Sequence, residues 1–287
     1  MTAGAWRGVL LVTPGMAWLM VFAIAPVGLL VCLSFWTTTI FGISTDFTLD
    51  NFHTLFADPV YGLILLKTLR VSVVATLLSL ITSYPLALFL ARLRGPPRTV
   101  LMLLLFLPFW SSYVIRSYMW LPVLGRAGLV NQMLLGIGVV HQPLDWLLFN
   151  EGAVYVGLIY VYTLFMALPI LLALDRIDPA LLEAASDLGA RPVKMFRRVI
   201  LPLSMPGVWS GCIMVFLMSV GAYVTPQLLG GANGIMIGNV IAAQFLNTND
   251  WPLGAAQSLA LIVLVICLFI AIGRRLGLRQ LFLGGTA

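Results

Sequence analysis

The chain has 287 residues, of which 61% are hydrophobic and 9% charged, with a formal net charge of +6 and a mean hydropathy of +1.05. That balance excludes a soluble globular domain: apolar runs of about 20 residues or more recur, each able to span a bilayer core of about 30 Å at 1.5 Å per residue. The positive charge does not point to nucleic acid, because the basic residues cluster at the ends of apolar runs.

In lipid, only helices and closed barrels satisfy their own backbone groups. The runs here are continuous and rich in Leu, Val and Ile rather than alternating, which selects helices. The sequence therefore predicts an all-α integral membrane protein with a single transmembrane domain over residues 1–287. The first span is expected at about Val9 to Phe35; it is too long for a cleaved signal peptide and lacks a clear small-x-small end. A polar loop with Asp46, Asp50 and Asp58 follows. The second span runs from about Gly62 to Leu90 and ends at Arg92, Arg94 and Arg98 around a Gly-Pro-Pro break. The third is about Thr99 to Leu124. The stretch "GLVNQMLLGIGVV" is too short to cross and reads as interfacial or re-entrant. The fourth span is about Ala153 to Leu174 and the fifth about Val208 to Leu229. "IMIGNVIAAQFLN" is again short and polar-flecked, so it reads as re-entrant or surface-lying. The sixth span, about Leu253 to Ile272, is closed by Arg274, Arg275 and Arg279.

Orientation follows from Lys/Arg placement. Six spans put the termini and the 91–98 and 175–206 loops on one side, which holds Arg7, Arg92, Arg94, Arg98, Arg176, Arg191, Lys194, Arg197, Arg198 and the C-terminal arginines. The other side holds Arg126, with Lys67 and Arg70 near the start of the second span, and carries Asp46, Asp50, Asp58, Asp145, Glu151 and Asp250. Both termini are expected in the cytoplasm.

The 175–206 loop contains "EAASDLGARPVKMFRRVILPLSMPG", from Glu183 to Gly207. Asp178 is a good N-cap, Pro179 suits the first helical position, and Ile177 with Leu182 can staple the start. Leu181, Ala185 and Leu188 share a face, with Glu183 and Asp187 together on another side. Gly189 can take the left-handed conformation that ends the helix. Pro192 begins a second helix with Val193, Phe196 and Ile200 as its stripe and Lys194, Arg197 and Arg198 opposite. Leu201–Pro202 and Pro206–Gly207 are expected to break it before the fifth span. Two readings fit such a basic amphipathic pair: an anchor to anionic lipid, or a docking knob for another protein. The Ala-Ala pair and the glycine, which remove bulk, favour the knob.

Glu183-Ala184-Ala185, three residues, Gly189, nine residues and Val199-Ile200-Leu201-Pro202 resemble the EAA loop of permease subunits of bacterial ABC importers; Val199 stands where the family pattern has isoleucine. "LPFWSSYVIRSYMW", "LGRAGLVN", "IDPALLEAASDLGA", "YVTPQLLGG", "IGNVIAAQFL" and "DWPLGAA" extend the resemblance over most of the chain. They look like the spermidine/putrescine permease branch, on the side of its B/H-type subunits. The resemblance implies the type I importer fold and a coupling helix that docks into a cleft on an ATP-binding subunit. Glu183 would be a polar contact, Ala184 and Ala185 a close-packing surface and Gly189 the turn, with Asp187, Leu201 and Pro202 completing the coupling set. It also implies two ATP-binding subunits carrying ATP and Mg, a second, paralogous permease subunit, a periplasmic substrate-binding protein and a place in the bacterial inner membrane. Relatives of that branch move opines, 4-aminobutyrate and related amines or acids, so the substrate transfers less firmly than the mechanism.

The chain has no GxxxxGK[ST]; its only lysines are Lys67 and Lys194, so it is not its own P-loop ATPase. No GxSxG, HExxH or pair of intramembrane aspartates appears, and the three cysteines, Cys32, Cys212 and Cys267, lie in apolar runs without metal or redox spacing. The expectation is therefore no catalytic site, metal or cofactor in this chain. Arg116, inside the third span, is either a pathway residue or an interfacial one that snorkels. Trp110 and Ser112 beside Pro108, and Tyr223 and Thr225 beside Pro226, are pathway candidates with helix packing as the alternative. Aromatic faces there suit an amine by cation–π attraction. No Asp or Glu lies inside a predicted span, which argues against an ion-coupled secondary transporter. Either the second permease subunit supplies the carboxylates that a polyamine would favour, or the cavity is weakly selective and a binding protein selects; the resemblance favours the second reading. The outer stretch "FTLDNFHTLFADPVYG", with Asp50 as an expected N-cap, is either a receiving surface for that protein or a plain surface helix.

Overall fold

A computed structural model describes the backbone of residues 3–40 and 42–275 and the side chains of residues 12–40 and 42–271. The side chains of Arg7, Arg274 and Arg275, and Arg279 altogether, lie outside the described residues. The helices are α1 (Ala3–Ser34), α2 (Asp50–Ala57), α3 (Pro59–Arg92), α4 (Pro96–Phe106), α5 (Tyr113–Tyr118), α6 (Trp120–Leu124), α7 (Leu129–Gly136), α8 (Glu151–Asp175), α9 (Pro179–Asp187), α10 (Pro192–Met195), α11 (Leu201–Val220), α12 (Val224–Leu229), α13 (Ile237–Leu246) and α14 (Trp251–Arg275). Among the described residues, five helices are long and apolar enough to cross a membrane, or six if one sharply bent pair is a single span.

The chain divides into two compact units, residues 1–62 with 240–287 and residues 63–239. In the first, α1 packs along α14. The described side chains on α1, from Val12 onward, are almost all exposed and apolar, which fits a helix whose solvent is hydrocarbon. Its C-terminal carbonyls would be orphaned. The Asn51 amide answers them, donating to Ser34 O at 2.9 Å and Trp36 O at 2.8 Å. Phe35 stacks on Phe47 at 4.8 Å and lies 5.3 Å from Phe52, closing this end.

Two expectations change here. The loop after α1 is not purely irregular: Thr37–Thr39 and Gly42–Ser44 pair as an antiparallel hairpin, β1 and β2, with Thr38 opposite Ile43. The three consecutive β-branched threonines explain it, and the fold is mostly helical rather than all-α. Asp50 is not the N-cap of α2 but its first helical residue, after Leu49. Its carboxylate there favours the positive end of the helix dipole.

The second unit is built on α8. Leu158, Met166 and Ile170 are fully buried, and the surrounding cluster takes in Val71 and Ala75 of α3 and Val208 and Val215 of α11. Asn150 Oδ1 accepts the Ala153 N–H at 3.0 Å and caps α8. Two glycines let α11 approach α8 closely. A Cβ on Gly211 would stand 2.8 Å from Met166 Sδ, and one on Gly207 would stand 2.7 Å from Ala173 Cβ. Gly207 and Gly211, four residues apart, form the small-xxx-small face used where helices associate in lipid by backbone approach.

The third expected span is not one straight helix. Its first half, Pro96–Trp110, ends in a 3₁₀ turn over Leu107–Trp110, and the chain then turns by 98° into Tyr113–Gly136. Pro108 withdraws an N–H from the ladder, and Ser111 and Ser112 adopt extended backbone (ψ 154° and 143°). The fifth differs in the opposite sense. Leu201–Pro202 and Pro206–Gly207 do not break the chain: Pro192–Val220 is one helical run of 29 residues. A π turn over Phe196–Ile200 absorbs the bond that Pro202 cannot make, as such bulges do. The run stops at Val220, so the expected end near Leu229 belongs instead to the short helix α12.

Candidate coupling loop and translocation pathway

Asp178 Oδ1 accepts the Ala180 N–H at 2.9 Å, and Pro179 opens α9. Ile177 and Leu182, at the two staple positions, both pack against the core cluster. The far end closes as a Schellman motif. Gly189 is left-handed (φ 76°), its N–H donates to Ser186 O at 2.8 Å, and the Ala190 N–H donates to Ala185 O at 3.0 Å. The cap, the first-position proline and the closing turn read from the sequence are present at this helix.

The faces differ from the expected ones. Leu182, Ala185, Met195 and Phe196 turn inward, whereas Leu181, Leu188 (87% exposed) and Val193 (70% exposed) turn outward. Glu183, Ala184 and Asp187 are exposed too, and the two carboxylates make no side-chain hydrogen bond or ion pair among the described residues. An apolar knob flanked by unpaired carboxylates is what a docking surface needs. The knob is held from behind: Tyr84 meets the Phe196 ring edge-on at 5.6 Å and bonds Ser204 Oγ at 2.8 Å. Ile200 is buried; Leu201 is half-buried and Pro202 exposed. Through α10 and the π turn, the loop runs without a break into the rod packed on α8.

The candidate pathway residues differ in exposure. Trp110 is 83% exposed, and Ser112 and Tyr223 are exposed. Thr225 is fully buried; its hydroxyl bonds Tyr113 Oη at 2.9 Å and Ser117 Oγ at 3.1 Å, tying α12 to α5. Gly157 makes room for it, since a Cβ there would lie 2.6 Å from Thr225 Cγ2. Arg116 sits just past the bend, its guanidinium 4.3 Å from the Phe109 ring centroid and Nη1 3.4 Å from Pro108 O. Its Nε is buried without a partner. A cavity of about 160 Å³ lies against it, lined by Phe109, Tyr160 and Thr163 among others.

Two polar anchors not singled out by the sequence reading are Asn239 and Thr68. Asn239 donates to Tyr223 O at 2.8 Å and Gln227 Oε1 at 3.0 Å and accepts from Met236 N at 3.0 Å. Thr68 Oγ1 accepts the Ile237 N–H at 2.8 Å. The signal for Asn239 was its place inside the apolar run "IMIGNVIAAQFLN": a buried amide must find partners. Arg70 holds both oxygens of Glu151 at 2.6 and 2.7 Å, and the Tyr155 hydroxyl donates to the same carboxylate at 2.8 Å. Arg126 pairs with Asp145 at 3.3 Å, and Arg98 pairs with Asp175.

Comparison with known proteins places this architecture. Residues 83–276 match the family model described as "Binding-protein-dependent transport system inner membrane component". The spermidine/putrescine transport system permease protein PotB of Escherichia coli (strain K12) is 41% identical over 249 residues, covering 86% of this chain and 90% of that protein. PotB of Haemophilus influenzae is 38% identical over 88% of each chain. Among solved structures, a bacterial ABC transporter involved in the import of the acidic polysaccharide alginate aligns with TM-score 0.68, at 21% identity, over 94% of this chain and 96% of that one. A bacterial alginate ABC transporter in complex with alginate pentasaccharide-bound periplasmic protein aligns with TM-score 0.71, at 20% identity, over 94% and 95%. At that identity the structures share the fold alone. The sequence matches carry the assignment: this chain belongs to the family of binding-protein-dependent transport system inner membrane components, and is an inner-membrane permease rather than an enzyme.

Proposed function

We propose that this chain is one of two paralogous permease subunits of an ATP-driven importer for polyamines, spermidine or putrescine. Residues 1–287 act as a single transmembrane domain with six spans, the bent pair counting as one, and both termini in the cytoplasm. The sorting of polar contacts supports that topology. Arg70–Glu151, Arg126–Asp145 and Thr38–Asp250 each join segments assigned to the outer side, and Arg98–Asp175 joins segments assigned to the inner side. The polyamine assignment rests on the PotB relatives.

The observation that carries the mechanism is the outward knob of α9, continuous in structure with the 29-residue rod. Two partner subunits bind ATP and Mg and hydrolyse the nucleotide. Their clefts grip Glu183, Ala184, Ala185 and Asp187, with Gly189 setting the turn and Leu201–Pro202 the entry to the rod. When the clefts close, the rod moves as a body, and the cavity opens toward a loaded periplasmic binding protein. Trp110, Ser112, Arg116, Tyr223 and Thr225 line or support the route. A secondary transporter would instead need an intramembrane carboxylate for ion coupling, and in the described spans Glu151 and Asp175 stand only at helix ends.

The test is ATPase activity of the assembled transporter with its binding protein, against putrescine, spermidine, 4-aminobutyrate and an opine. Stimulation by a polyamine alone is the expected outcome. Stimulation by 4-aminobutyrate or the opine instead would keep the coupling and replace the substrate.

A further inference from the structure

At the end of the second unit that carries α9, an open cavity of about 390 Å³ is lined by Arg92, Arg94 and Arg98, with Asp175 as its only acid. That volume falls in the range of roughly 300–1,000 Å³ typical of small-molecule sites. Arg98 is spoken for: it pairs with Asp175 and keeps only 27% of its side chain exposed. Arg92 and Arg94 have no hydrogen-bond or ion-pair partner among the described residues. The remaining wall is apolar and includes Leu88 of α3 and Ile177 and Leu182, the staple of α9. A purely topological cluster of positive charge needs no walls. This one has two unpaired guanidiniums, shaped to take phosphate oxygens, beside a hydrophobic surface.

We propose that this cavity binds the phosphodiester headgroup of an anionic phospholipid, with its upper acyl chain against Leu88, Ile177 and Leu182, and that the bound lipid braces the coupling helix. A free phosphate would satisfy the arginines but leave the apolar wall wet, so the lipid is the better occupant. The proposal rests on the reading above for the cytoplasmic position of this end and for the role of α9.

The test is native mass spectrometry of the complete transporter purified with phosphatidylglycerol, comparing wild type with Arg92→Gln/Arg94→Gln and Arg92→Lys/Arg94→Lys. At about 1 kcal/mol per basic residue, loss of both charges weakens lipid retention about thirtyfold. The lysine pair retains most of it. In nanodiscs, adding phosphatidylglycerol to phosphatidylcholine raises ligand-stimulated ATPase activity of the wild type and not of the glutamine pair. Equal lipid retention by the glutamine pair overturns the proposal. So does restoration of activity by inorganic phosphate in pure phosphatidylcholine. Loss of the ATP-binding subunits from the glutamine pair also overturns it, because the arginines would then be holding an acidic face of the partner. Lipid retention is read without any transported solute. If no ATP-binding subunit copurifies with the wild type, the functional reading fails while the lipid count still stands.

Discussion

Gly189 and Thr225 show how far one residue reaches in this protein. Gly189 ends α9 at φ 76°, where a side chain strains the backbone even though the space around it is open. Gly189→Val therefore costs about 1–2 kcal/mol locally. We expect faster tryptic cleavage after Lys194, since Pro192 protects Arg191, with the thermal midpoint of the whole protein nearly unchanged. Thr225 is the buried meeting point of two hydroxyls. Thr225→Val leaves Tyr113 and Ser117 without it and lowers stability by about 1 kcal/mol, the scale of interhelical hydrogen bonds in membrane proteins. A drop of a few degrees in detergent melting checks this. The caps, staple and turn of α9 were legible because each rests on local chemistry: a carboxylate two residues before an N–H, a proline at the first position, a glycine at the last. Thr225 was named from its sequence surroundings, but its partners come from α5, 108 and 112 residues away; no local pattern encodes that distance.

Hydropathy located α1, α3, α8 and α14 to within a few residues, because a long apolar run in lipid has one way to satisfy its backbone. It failed where proline meets tertiary context. Pro108 and Pro202 look alike in sequence, yet one precedes a 98° turn and the other sits in an unbroken rod. What differs is the packing. The chain around Pro202 is held by Tyr84 and by the α8 face, so a π turn suffices. After Pro108 the exposed serines extend. The same packing yields a prediction for the rod. Gly211→Leu drives a side chain into Met166 and separates α11 from α8, costing about 1–3 kcal/mol by overpacking. Lower yield of monodisperse protein and a depressed melting midpoint are expected, whereas Ser210→Leu, on the exposed side of the same turn, leaves both unchanged.

At the scale of the whole molecule, the fold supplies a rigid rod with a knob at one end, and a transporter of this family needs to deliver work through such an element. The chain has no phosphate-binding loop of its own, and in the proposed mechanism that work enters through the exposed surface of α9. Glu183, like Asp187, carries a charge without an ion-pair partner among the described residues, and it adjoins the small Ala184. Removing a charge-assisted contact of about 1.5–3 kcal/mol corresponds to a tenfold or greater loss in coupling. The most direct measurement is therefore ATPase activity of the reconstituted transporter, with and without polyamine-loaded binding protein, for wild type and Glu183→Ala. The account predicts that the variant assembles with its ATP-binding subunits and keeps its unstimulated rate but loses stimulation by at least about tenfold. Full stimulation in Glu183→Ala would contradict it.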